Sequence, residues 1–194
     1  MPATAAYRIV ALATALVIGA CTDPSLDPPL TTLVEGNLVI TEIMADPAQV
    51  ADANGEWFEI HNRTRSAVQL RGLIFKDDGT DNDTVNVSLI VQAGRYAVFA
   101  RDSVRATNGG VIVSHVYSGF SLASTADEIE LILGGIRIDR VAYGAGYPLA
   151  TGIALALTPA ATHLSNDSVA RWCAATTPYG AGDLGTPFTP NPAC

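Results

Sequence analysis

Apolar side chains recur along this chain in short alternating runs, at 38–44, 56–61, 67–76, 86–92, 95–100, 111–117, 128–133, 136–143 and 152–157. The runs are rich in Val, Ile, Leu and Tyr and are punctuated by Gly, Asn, Asp and Ser, the composition of strands and of the turns between them. Alternation with a period of two gives a strand two unlike faces. Beyond the N-terminal twenty residues no run sustains the i, i+3, i+4, i+7 apolar spacing of an amphipathic helix. The pattern predicts an all-β chain in which short strands build a sandwich over 37–157, with a loop-rich extension over 158–194 packed on or beside it.

One local register can be read in advance. Glu128–Leu133 and Ile136–Arg140 flank Gly134-Gly135, a pair free to adopt the positive φ of a two-residue hairpin turn. That turn predicts Leu133 opposite Ile136, Leu131 opposite Ile138 and Ile129 opposite Arg140. On the other face Ile132 meets Arg137, and Glu130 meets Asp139, an unfavourable like-charge pair.

The N-terminus adds an address. Residues 1–20 carry one charge, Arg8, ahead of the apolar run Ile9–Ile18. This is the layout of a secretory signal peptide and is too short to span a bilayer. Ile18-Gly19-Ala20-Cys21 is similar to a bacterial lipobox, which implies lipidation at Cys21, and Thr22 after it implies the outer membrane. A lipid there would hold the protein on a membrane without a spanning helix. Residues 21–36, with Pro24, Pro28 and Pro29, read as an extended tether reaching on the order of 50 Å.

Charge and cysteines narrow the field. The formal net charge is −8. Without Arg8 ten Lys and Arg stand against 19 Asp and Glu, a balance of −9. With Lys76 as the one lysine and no basic cluster, nucleic acid is excluded as a partner, since phosphate neutralisation drives that binding. Cys173 and Cys194, in an exported chain, are expected to form a disulfide tying down the Gly- and Pro-rich tail.

Candidate chemistry is sparse. Asp77, Asp81 and Asp83 lie in one acidic loop that could serve Ca²⁺, although the loop lacks the EF-hand layout; a solvated turn explains the same residues. Glu42 shares a strand face with Leu38, Ile40 and Met44, and Glu59 shares one with Trp57 and His61. Two carboxylates near a histidine raise acid–base catalysis, but the expectation is that Glu42 is hydrogen-bonded near a strand end and Glu59 faces solvent. Gly180–Gly185 spells G-x-G-x-x-G with no helix to follow it, which excludes a dinucleotide site. The histidines have no metal-binding spacing, and there is no G-x-S-x-G elbow.

Val39-Ile40-Thr41-Glu42-Ile43-Met44, Gly55–Asn62, Val68–Leu73, Asp127–Leu131 and Ile138–Tyr143 together resemble the lamin-tail domain, with Thr41 where that family commonly has Asn. The resemblance implies an immunoglobulin-like, Greek-key-like β-sandwich of the kind found in bacterial exported proteins. It implies no catalytic residues and no cofactor. The resulting expectation is a lipid-anchored cell-envelope module that binds a protein or an envelope polymer through loops 45–55 and 77–85. The alternatives are a calcium-stabilised adhesion module and an accessory domain of an exported hydrolase system. Fold alone does not choose among these.

Overall fold

The computed structural model describes Met1 and residues 32–194. The signal segment, the Cys21 lipobox and most of the tether lie outside the described residues. Twelve strands follow in order: β1 (Leu38–Met44), β2 (Trp57–Asn62), β3 (Val68–Gln69), β4 (Ile74–Lys76), β5 (Asn82–Thr84), β6 (Ile90–Val91), β7 (Tyr96–Ala100), β8 (His115–Val116), β9 (Asp127–Leu133), β10 (Ile136–Tyr143), β11 (Leu155–Leu157) and β12 (Trp172–Ala174). Among the described residues one helical turn, α1 (Asp52–Gly55), precedes β2, and a single 3-10 turn, Val169–Arg171, precedes β12.

Six strands form one sheet in the order β12-β11-β1-β2-β7-β8, four form a second in the order β10-β9-β4-β5, and β3 pairs with β6. All neighbours are antiparallel except β7 and β8. The interior between the sheets is aromatic. Phe58 stacks on Phe99 at 5.0 Å, and Phe75 meets Phe58, Phe99 and Phe120 edge-on at 5.3–5.4 Å. Leu70, Leu131 and Ile138 belong to the same core. Edge-to-face pairs satisfy the ring quadrupoles and add about 0.5–1.5 kcal/mol each beyond area burial. Burial begins before Asn37: Leu33 is in the core, and the Gly36 N–H donates to the Ile138 carbonyl at 2.8 Å.

Several strands are shorter than the apolar runs. Gly72, at φ 87°, breaks 67–76 into β3 and β4. Only Ile90–Val91 of 86–92 and His115–Val116 of 111–117 pair. Conversely, β5 lies inside the acidic loop, and β12 lies in the extension.

The hairpin register holds for two pairs and then slips. Ile136 faces Leu133 and Arg137 faces Ile132, with Gly134 and Gly135 at φ 61° and 80° as the turn demands. A bulge between Arg137 and Asp139 then sets Asp139 opposite Leu131, Arg140 opposite Glu130 and Val141 opposite Ile129. The predicted Glu130–Asp139 repulsion is thereby removed. Glu130 instead ion-pairs with Lys76 at 3.1 Å, and Arg140 with Asp78 at 2.9 Å. Asp139 turns inward to accept from the Ile40 N–H at 2.8 Å and the Asn166 amide at 2.9 and 3.0 Å. A bulge re-aims a side chain in this way at the cost of one ladder position.

Candidate functional site

A second bulge, between Ile40 and Glu42, determines what the outer face of the six-stranded sheet carries. Ile40 pairs with Ile60, and Ile43 with Phe58, so both isoleucines face the core. Glu42 is displaced from the face of Ile40 to that of Met44, and it pairs directly with Glu59. The strand-face grouping of Glu42 with Leu38 and Ile40 is therefore corrected by the extra residue, Thr41. Glu59 does not face solvent either. The C-terminal extension crosses this face, and both carboxylates are fully buried beneath it.

The cover is held by a small apolar cluster and by hydrogen bonds. Met44, Trp57, Val98, Ala100, Ala154 and Ala156 form a second buried cluster against Tyr179, Leu184 and Phe188 of the tail. Trp57 Nε1–H donates to the Tyr179 hydroxyl at 2.9 Å, with the two rings edge to face at 5.7 Å. The Thr186 N–H donates to Glu42 Oε1 at 2.8 Å, and the Phe188 N–H to Glu59 Oε2 at 2.6 Å. Thr41 Oγ1 donates to Glu59 Oε1 at 2.8 Å. Asn191 donates to the Thr41 and Leu157 carbonyls. The Cys173–Cys194 disulfide, with Cα atoms 5.7 Å apart, closes the segment onto β12. Burial pushes the Glu42 carboxyl up to about 8, against the opposing pull of the Thr186 bonds. Burial and then the neighbouring Glu42 push Glu59 well above the carboxylate range. Two carboxyls in this setting hold protons and cement a cover.

The G-x-G-x-x-G stretch serves the same packing. Gly180 lies against the backbone of Gly109 and Gly110, where a Cβ on either side would collide, and Pro178 bridges to Leu184.

Loop 77–85 and the start of β2 converge on one segment, 117–122. Asp83 Oδ2 accepts from the Ser118 and Gly119 N–H groups at 2.9 and 3.2 Å. Ser121 Oγ donates to Asp81 at 2.8 Å. The Leu122 N–H donates to Glu56 Oε2 at 3.1 Å, and Glu56 also pairs with Arg101 at 3.3 Å. Loop 77–85 and Glu56, the residue that follows loop 45–55, are thus joined through 117–122, and Asp81, Arg101 and Ser118–Ser121 line an open concavity of about 320 Å³. Burial alone would raise the Asp83 carboxyl, but the N–H groups of Ser118, Gly119 and Thr84 and the nearby His115 hold it below its ordinary value. Asp77 does different work. Its Oδ1 accepts from the Gly79 and Asp81 N–H groups at 2.9 and 3.1 Å and closes its own turn. Asp77, Asp81 and Asp83 are therefore spent on separate partners. Among the described residues no group of three or more His, Cys, Asp or Glu is placed to hold a metal ion.

The tail also anchors loop 45–55. Asp183 accepts from the Ala48 N–H at 3.1 Å, and from within the sandwich Thr151 Oγ1 donates to Asp46 at 2.6 Å. Sequence reading misses the roles of Asp183, Asn191 and Arg101 because Ala48, Thr41 and Glu56, which they bind, stand 135, 150 and 45 residues away.

A family model described as Lamin Tail Domain matches residues 31–145. No curated protein matches the chain.

Proposed function

Because the chain belongs to the lamin tail domain family, we propose that it is a non-catalytic binding and structural module, exported and held at the bacterial cell envelope by a lipid on Cys21. The observation that carries this reading is the Cys173–Cys194 disulfide. It accounts for two of the three cysteines and leaves Cys21, in its lipobox-like setting, as the third. A disulfide of this kind persists in oxidising compartments, which supports export. The absence of catalysis rests on an immunoglobulin-like domain in which the facing carboxyls Glu42 and Glu59 are sealed under the tail. The binding surface is the rim formed by loops 45–55 and 77–85, where Glu56 at the end of the first and Asp81 and Asp83 of the second are fixed to 117–122, because ligand-contacting residues concentrate on loops that a rigid frame positions. The partner is a protein or an envelope polymer and not nucleic acid, in keeping with the net charge of −8.

The test is expression of the full chain in a bacterial host supplied with an alkynyl fatty acid, followed by fractionation. The wild type is expected to carry the label and to sediment with the outer membrane, and Cys21→Ser to lose both. Membrane retention of Cys21→Ser, or unlabelled wild type, overturns the anchoring. A photo-crosslinker at Ser118 is expected to capture a partner that the same group at Arg95, at the far end of the sheet, does not.

A further inference from the structure

The end of β2 remote from the loop rim carries a partly enclosed cavity of about 110 Å³, lined by Arg63, His61, Tyr96, Thr41, Pro159 and Pro190. Arg63 is its chemically informative wall. Its N–H holds the chain by donating to the Asn37 carbonyl at 2.9 Å, and its Nη1 donates to the Ala161 carbonyl at 2.5 Å. Its Nε is buried with no hydrogen-bond partner, and among the described residues no carboxylate lies within ion-pair distance of its guanidinium. Arg presents its donors as a planar fork that matches a carboxylate. Beside it His61 stacks on Tyr96 at 4.4 Å, the rings 15° apart, making a flat aromatic wall. The prolines and Leu157 give an apolar surround for a short carbon stem.

We propose that this cavity is a subsite for a small carboxylate, whose oxygens pair with Arg63 and whose alkyl stem lies against His61, Tyr96 and the two prolines. The size sets the class. A cavity of about 150 Å³ holds benzene, so the space suits an acid of a few heavy atoms, either free or as the end of a peptide chain. Neutral sugars and amides lack the charge that Arg63 requires. Asp139, on β10 of the other sheet, is the carboxylate that acts on Arg63 from a distance, while Glu59, near Tyr96, holds its proton. Both are fully enclosed and take no part in the lining. This site is separate from the loop rim and does not depend on how the chain is anchored.

The experiment is titration of the full chain, in detergent and with labelled histidine, with acetate, N-acetyl-alanine, N-acetyl-alaninamide and glucose, reading the His61 ring resonances. Acetate and N-acetyl-alanine are expected to shift them saturably, and the amide and glucose to leave them unmoved. Tighter binding of N-acetyl-alanine than of acetate assigns the carboxylate to a chain end; equal binding assigns it to a free acid. Arg63→Gln is expected to weaken carboxylate binding at least about tenfold. Arg63→Lys keeps the charge without the fork and is expected to bind with intermediate strength, which separates lost recognition from lost folding. Equal response to the amide, no saturable shift, or wild-type affinity in a folded Arg63→Gln overturns the proposal and leaves the envelope reading untouched.

Discussion

Glu42 stands directly opposite Glu59 across the β1–β2 ladder, and neither exposes any surface to solvent. Like charges in that position cannot both ionise at modest cost. The tail that covers them supplies one N–H to each, from Thr186 and Phe188. The pair is therefore the chemical underside of the C-terminal cover, and protonation of the pair is linked to closure of that cover.

Stability should accordingly fall as the solution becomes alkaline. An unfolded Glu titrates near its ordinary 4.5, whereas Glu42 in the fold is raised to about 8. Between those values the unfolded chain has released a proton that the folded chain keeps, so each step up in pH favours unfolding. The stabilisation is whole below about pH 4.5 and lost by about pH 8. Asp139, raised by burial to about 7, adds to the same slope, so the difference between wild type and variant is the informative quantity. Glu42→Gln is expected to flatten the dependence and to raise stability at pH 8 by about 1–3 kcal/mol. Parallel curves for the two proteins in denaturant melts from pH 5 to 9 would refute the linkage.

The bulge carboxylate should behave differently on deletion. Asp139 receives the Ile40 N–H and two contacts from Asn166, and the Asn166 carbonyl in turn receives Trp172 Nε1–H at 2.6 Å. This chain of bonds links β10, β1 and the extension. Asp139→Ala strands the Ile40 and Asn166 donors and is expected to cost about 2–4 kcal/mol. A double-mutant cycle with Asn166→Ala should show coupling above about 0.5 kcal/mol, since neighbours in one network are not additive. Additive losses at neutral pH would show that the two residues act apart.

Periodicity carried much of this architecture. Runs such as 38–44, 95–100 and 136–143 alternate, and their strands appear with small changes at the ends. Two single-residue bulges were not legible, because alternation looks equally good on either side of an inserted residue. They are what bring Glu42 against Glu59 and turn Asp139 inward. The buried status of Glu59 was hidden for another reason. A glutamate on the polar face of a strand reads as solvated unless something covers it, and the cover comes from residues 129 positions later. The Gly-Gly turn and the disulfide were readable because each is fixed by local backbone freedom or by a count of two cysteines. The Arg63 cavity joins residues from 41 to 191 and left no local signal.

The acidic loop should be structural, and calcium should not alter it. Asp83 lies below its ordinary value in the fold, so its contribution is present above about pH 4 and is lost as the pH falls through the lowered value. Asp83→Ala removes the acceptor for Ser118 and Gly119, and their amides should exchange faster than in wild type by about tenfold, a change of roughly 1.4 kcal/mol in local opening. Because Asp77, Asp81 and Asp83 serve separate partners, millimolar calcium and chelator are expected to give the same melting midpoint. A calcium-dependent rise would show that the loop rearranges into a site, since a ligand of the folded state raises the midpoint by mass action.

Opening the disulfide tests whether the cover is held at its end or along its length. Cys173 and Cys194 are separated by 21 positions, and closing a loop of that size restricts the unfolded chain by roughly 3 kcal/mol in the chain-entropy account. Cys194→Ser is therefore expected to lower stability by about 2–4 kcal/mol. The internal bonds from Asn191 to Thr41 and Leu157, and from Trp57 to Tyr179, remain available to the free tail. Local exchange then separates the two possibilities. If the cover is held along its length, the Thr186 and Phe188 amides stay protected in Cys194→Ser at pH 5, where Glu42 and Glu59 keep their protons. Raising the pH to 9 should then strip that protection sooner than in wild type, because the pair must ionise under a cover that no longer has a covalent tie. Loss of protection already at pH 5 would mean that the disulfide alone keeps the tail in place.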